Sequence, residues 1–101
     1  MGLDLIVDIE TDGLLPDVTK VHCVGMTVDG ASAGQVFANE EPYDCIENAL
    51  ELMSEAKSLT GHNLIGYDLP VLKKLLGWVP NKSTEIIDTL VMSRLCHTSL
   101  R

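Results

Sequence analysis

The apolar positions at the start of the chain fall in short blocks with strand character. Leu3 to Ile9 alternates only loosely and is rich in Leu, Ile and Val, the pattern of a central strand covered on both faces. Thr11-Asp12-Gly13 and Leu14-Leu15-Pro16-Asp17 bring Gly, Pro and Asp turn chemistry and end that strand in a loop. Val21 to Val28 is again β-rich, Asp29-Gly30 is a favoured hairpin pair, and Gly34 to Ala38 is placed to return as a third strand. Together these segments predict a three-stranded antiparallel meander.

From Asp44 the period changes. Ile46, Ala49, Leu50 and Met53 recur at three- and four-residue spacing, with Glu47, Glu51 and Glu55 opposite them, which predicts an amphipathic helix. Ser58 to His62 reads as a brief strand running into a loop. Leu69 to Leu76 reads as a second helix, with Pro70 in its first turn and Gly77 at its end. Glu85 to Ile87 predicts a short strand, and Thr89 onward returns to helical spacing through Leu90, Met92 and Leu95. The order β-β-β-α-β-α-β-α implies an α/β domain, a mixed sheet with helices packed on it.

Composition narrows the class. With 101 residues, 46% of them hydrophobic and 22% charged, the sequence has the balance of one globular domain. The formal charge of −8, with seven Lys and Arg against fifteen Asp and Glu, argues against binding nucleic acid through a basic face, because that affinity comes from cations displacing counterions. An acidic balance suits a site that gathers carboxylates around divalent cations. Cys23, Cys45 and Cys96 are odd in number and lack CxxC spacing, so neither a disulfide framework nor a zinc site is expected. No segment reaches the length of a bilayer span, and a cytosolic protein with no membrane partner is expected.

Against that background Asp8-Ile9-Glu10 stands out, at the end of an almost wholly apolar strand. Residues two apart on a strand project from one face, so both carboxylates can reach one point. Buried side by side they repel unless a proton or a cation intervenes, and hard oxygen ligands suit Mg²⁺ or Mn²⁺. Alone the pair reads more readily as a strand ending in two solvated acids. Asn63-Leu64-Ile65-Gly66-Tyr67-Asp68 adds a further acid beside an aromatic residue, after an Asn in a loop.

Asp8-Ile9-Glu10 followed by Thr11-Asp12-Gly13-Leu14 resembles the first motif of the DEDD-superfamily 3′→5′ exonucleases, and His62-Asn63 with Tyr67-Asp68 resembles the second, N-x₃-[FY]-D. The stretches DGLLPDVTKVHCVG, GHNLIGYDLPVLKKL and IIDTLVMSRLCH are similar to the exonuclease domains attached to family A DNA polymerases of short-tailed bacteriophages. The resemblance spans essentially the whole chain. It implies a ribonuclease H-like fold over residues 1–101 and two-metal hydrolysis of a terminal phosphodiester, in which two Mg²⁺ or Mn²⁺ ions clamp the attacking and leaving oxygens. By the same resemblance Asp8 bridges both ions, Glu10 ligates the ion holding the attacking water, and Asp68 holds the second ion through water. Thr11, Leu14, Asn63 and Tyr67 fall at substrate-binding positions, with Leu14 packing against the terminal base and Asn63 positioning Asp68 or the nucleic acid backbone. The implied substrate is the 3′ end of single-stranded DNA.

The family's third motif, a Tyr followed four residues later by an Asp on a C-terminal helix, is not found before Arg101, and neither Tyr43 nor Tyr67 is followed by such an Asp. The expectation is a partial domain lacking that helix, with three of four catalytic carboxylates and little or no activity alone. The exposed apolar surface left behind would favour a homodimer or a complementing chain such as the polymerase domain. A second reading is a non-catalytic assembly or binding subunit of a split DNA polymerase. Asp88 reads either as a helix N-cap before Thr89 or as a stand-in for the fourth acid. His22 and His62 lack metal-binding spacing, and Trp78 is expected to pack over a helix end.

Overall fold

The computed structural model describes residues 2–92. The predicted helical residue Leu95, Cys96 and the end of the IIDTLVMSRLCH block lie outside them. Five strands form one mixed sheet: β1 (Asp4–Thr11), β2 (Val21–Val28), β3 (Gln35–Phe37), β4 (Ser58–Gly61) and β5 (Glu85–Asp88). Their order across the sheet is β3-β2-β1-β4-β5. The first three pair antiparallel as the predicted meander, whereas β4 runs parallel to β1 and β5 parallel to β4. The carboxyl ends of β1, β4 and β5 therefore share one edge, the end where ligand sites lie in open sheets of this kind.

Helices α1 (Ile46–Ser54) and α2 (Leu69–Leu76) fall where the apolar period puts them. Ile46, Ala49 and Met53 from α1, and Val71 and Leu72 from α2, join Leu5, Val7, Ile9, Val24, Met26 and Leu59 in a single buried cluster. The Asn39 side-chain oxygen accepts the first N–H of α1 at 2.9 Å. Gly77 closes α2 in the left-handed region at φ 66°, a conformation that costs a residue with a Cβ and suits Gly. Trp78 packs against the core and donates its indole N–H to Ser54 at 2.9 Å, at the last turn of α1.

The expectation for the first strand needs correcting. β1 alternates strictly, with Leu5, Val7 and Ile9 buried and Asp4, Ile6, Asp8 and Glu10 exposed, so among the described residues it is covered on one face only. Ile6, 43% exposed, is the single apolar residue in the outward set, and it disguised a period-two pattern as an apolar run. The acids consequently stand on the outer face, away from the helices. No helix among the described residues is long and apolar enough to cross a membrane.

Candidate active site

Asp8 sits in the last half of β1 with Gly25 of β2 as its cross-strand neighbour. Gly25 offers no side chain, and β4 pairs with β1 only as far as Ile6, so among the described residues neither neighbouring strand covers the Asp8 carboxylate. Glu10 follows on the same face, opposite Cys23, just before the register shift between Glu10 and Thr11. Both acids are exposed.

Asp68 arrives from the other side of the β1–β4 gap. Beyond β4 the chain makes a π-helical turn, Leu64–Asp68, which leads directly into α2. Asn63 precedes it in the left-handed region at φ 67°, a conformation Asn tolerates better than most residues. Its carbonyl accepts the Tyr67 N–H at 2.9 Å and the Asp68 N–H at 3.4 Å, and the extra residue in the turn sets Asp68 at its end. Gly66 lets the Asn63 side chain fold back over the turn, since a Cβ there would lie 2.4 Å from Asn63 Oδ1.

The Asp68 carboxyl is buried, 4% exposed, and among the described residues its Oδ2 has no hydrogen-bond partner. Burial pushes its pKa up, the charge of Asp8 adds to the rise, the Ile9 N–H opposes it, and the charge of Asp88 raises it further, to about 7. An unpaired buried oxygen beside a like charge favours a proton or a cation. The chain thus brings Asp8 and Asp68 into electrostatic contact, while Glu10 stays exposed on the strand. Among the described residues no three His, Cys, Asp or Glu side chains gather closely enough to form a ready metal cage.

The predicted substrate-binding residues divide. The Thr11 and Tyr67 hydroxyls and the Gly13 carbonyl lie within hydrogen-bond reach of one another, one hydroxyl donating to the other and the second to the carbonyl, which ties the loop after β1 to the turn that carries Asp68. Leu14, on that loop, is 77% exposed and free to meet a ligand. Asp12 fixes the same loop by accepting from the Thr19 hydroxyl, the Thr19 N–H and the Lys20 N–H, which hold its carboxyl down at about 2.

Asp88, the residue read as either cap or fourth acid, is a cap. Its Oδ1 accepts the Leu90 N–H at 2.9 Å as a helical turn begins over residues 89–92. Sequence reasoning missed its second task, for the same carboxylate also accepts the N–H groups of Asn63 and Ile65, each at 2.9 Å. The His62 ring hydrogen-bonds the Thr89 hydroxyl at 3.0 Å.

With this edge in view, the sequence profile of the RNase_H superfamily matches residues 5–98. The chain belongs to the RNase_H superfamily. Over 103 aligned residues it is 35% identical to the DNA-directed DNA polymerase of Escherichia phage T7 and 34% identical to that of Enterobacteria phage T3. Each alignment covers 96% of this chain and 14% of the polymerase, so the chain spans about one seventh of the curated relatives it matches. The structure of the family B DNA polymerase from the hyperthermophilic archaeon Pyrobaculum calidifontis superposes with a TM-score of 0.64 over 89% of this chain and 16% of that one, at 21% identity. That likeness supports the fold. The resemblance read from the motifs and the ribonuclease H-like α/β fold it implied both stand.

Proposed function

We propose that this chain is the metal-binding part of a 3′→5′ exonuclease domain that removes nucleotides from DNA ends, in the manner of a proofreading activity attached to a DNA polymerase. Asp68 carries the proposal: a buried carboxylate with an orphaned oxygen, pressed by the charge of Asp8, is a poor structural residue and a good half of a cation site. The donors are all hard oxygens, which fits Mg²⁺ or Mn²⁺. Asp8, Glu10 and Asp68 would hold the metal. Divalent ions bound there supply positive charge for the phosphodiester and an acidified water.

The chain's own residues set the rest. The outward acids of β1, with Gly25 beside Asp8, leave room for a nucleic acid end on the open face of the sheet. The linked Thr11, Tyr67 and Gly13 hold the loop that presents Leu14 to a terminal base. Asn63 acts through the turn, holding Asp68 at its end. DNA is taken as substrate because the relatives are DNA-directed DNA polymerases. Since Asp8 and Glu10 are exposed and no cage is preformed among the described residues, the chain alone is expected to bind metal and hydrolyse weakly or not at all, with activity gained when a polymerase domain or another chain closes the site.

The test is Mn²⁺ binding by paramagnetic resonance, with release of nucleotides from a 3′-labelled oligonucleotide measured beside it, for the parent, Asp8→Asn and Asp68→Asn. Binding in the parent and its loss in both variants support the reading. Equal Mn²⁺ affinity in all three would refute it and favour the second reading, a non-catalytic assembly module, which the exposed Ile6 and Val36 of the outer face also suit.

A further inference from the structure

Asp88 presents an unusual arrangement at the end of β5. It lies in register with Gly61 of β4, and its carboxylate is only 4% exposed. Oδ1 accepts the N–H groups of Asn63 and Leu90, and Oδ2 accepts that of Ile65, all at 2.9 Å. Burial pushes the carboxyl up, but the N–H groups of Ile65, Asn63, Leu90 and Val91 outweigh it and hold the carboxyl below its ordinary range.

The opening N–H groups of any helical segment lack partners within it. The π-helical turn that ends in Asp68 has this deficit at its start, and no side chain of its own caps it. The turn at residues 89–92 has the same deficit. One carboxylate meets both, and a negative charge there also complements the positive ends of both segments. Its oxygens are already committed to N–H donors, which leaves little capacity to ligate a metal.

We infer that Asp88 is a positioning residue for the proposed site: a shared cap that fixes the turn delivering Asp68 and joins that turn to the helical segment after Thr89. The inference rests on the reading of Asp8 and Asp68 as metal ligands. Asp88 touches neither metal nor substrate and acts through the backbone of Asn63 and Ile65. Two substitutions separate its tasks. Asp88→Ser keeps a short acceptor able to cap Leu90 but supplies too few lone pairs to hold Asn63 and Ile65 as well. Asp88→Asn keeps the shape and turns one acceptor into a donor facing an N–H.

The experiment measures Mn²⁺ affinity of the 101-residue chain by paramagnetic resonance, with circular dichroism to confirm folding, for the parent, Asp88→Ser, Asp88→Asn and Asp8→Asn. Both Asp88 variants are expected to bind Mn²⁺ about 10- to 100-fold more weakly, the loss typical when residues that orient metal ligands are removed. Folded Asp88 variants that bind as tightly as the parent overturn the inference, whereas an Asp8→Asn protein that binds as tightly as the parent overturns the metal reading beneath it. Amide exchange in the parent tests the cap without metal or mutation. The Asn63 and Ile65 amides are expected to exchange as slowly as those of β4, and exchange at the rate of an open loop would overturn the cap.

Discussion

Replacing Asp68 by Asn removes the charge from a carboxylate that is 4% exposed and whose Oδ2 is unpartnered among the described residues. Its pKa rises from 3.8 to about 7 on folding, so the native state holds a proton that the unfolded state has released. The associated stability is complete below about pH 4 and is lost as pH rises through about 7. At about 1.4 kcal/mol per unit, the ionised carboxylate costs the native state roughly 4 kcal/mol at pH 8 relative to strong acid. The other two shifted groups, Asp12 and Asp88, are lowered. They titrate below 3.8 with the opposite sign, outside the window from pH 4 to 7 in which Asp68 acts.

Urea denaturation in a metal chelator at pH 5 and pH 8 reads this directly. The parent is expected to lose roughly 2–3 kcal/mol between those values, while Asp68→Asn is flat across the interval. At pH 8 the variant is expected to be the more stable by about 1–3 kcal/mol, less than the full charge cost because its amide N–H₂ is buried without an acceptor. Mg²⁺ at pH 8 should then stabilise the parent and leave the variant unchanged, since a ligand stabilises only the state it binds. A parent equally stable at both pH values, or a variant with the same slope, would refute the account of Asp68.

Gly77→Ala places a Cβ in open space at φ 66°, so its cost is backbone strain alone, about 1 kcal/mol in a thermal melt. Gly61→Ala should cost more, about 1–3 kcal/mol by urea denaturation, because its Cβ would lie 2.7 Å from the Val7 carbonyl and 2.8 Å from Leu64 Cγ. Tyr67→Phe removes the hydroxyl shared with Thr11 and Gly13 and is expected to cost about 0.5–1.5 kcal/mol. Amide exchange in the loop at Asp12 and Gly13 should quicken in that variant while β1 stays protected.

The strands and helices were legible because each carries its own period. The meander, the glutamate-backed face of α1 and the Pro70 to Gly77 frame of α2 are local patterns, and the structure keeps all of them. The π-helical turn was not legible, for Leu64 to Asp68 is too short to show a period and its form depends on donors and acceptors brought from elsewhere. Asp88 illustrates the same limit. Its cap to Leu90 spans two residues and could be read from the sequence, whereas its bonds to Asn63 and Ile65 span 25 and 23. For the site, Asp8-Ile9-Glu10 showed only that two acids share a face. That Asp68 meets Asp8 followed from the family motif and not from spacing, because the gap between β1 and β4 exists only once the sheet is formed.

Asp68 and Asp88 together indicate what separates a structural acid from a reactive one at this edge. They are equally buried and end neighbouring segments of the fold, yet one is raised and the other lowered. The difference lies in the charge of Asp8 beside Asp68 and in the backbone around each acid. Asp88 stands where two helical segments begin and collects N–H donors from both; Asp68 stands at the end of a turn, where the N–H groups of Ile9 and of Asp68 itself offset its burial only in part. Burial penalises a carboxylate in both places, and the donors cancel that penalty in one of them. The uncompensated acid is the one beside Asp8, so the folding of the turn that satisfies Asp88 is also what leaves Asp68 with an unpartnered oxygen to offer a cation.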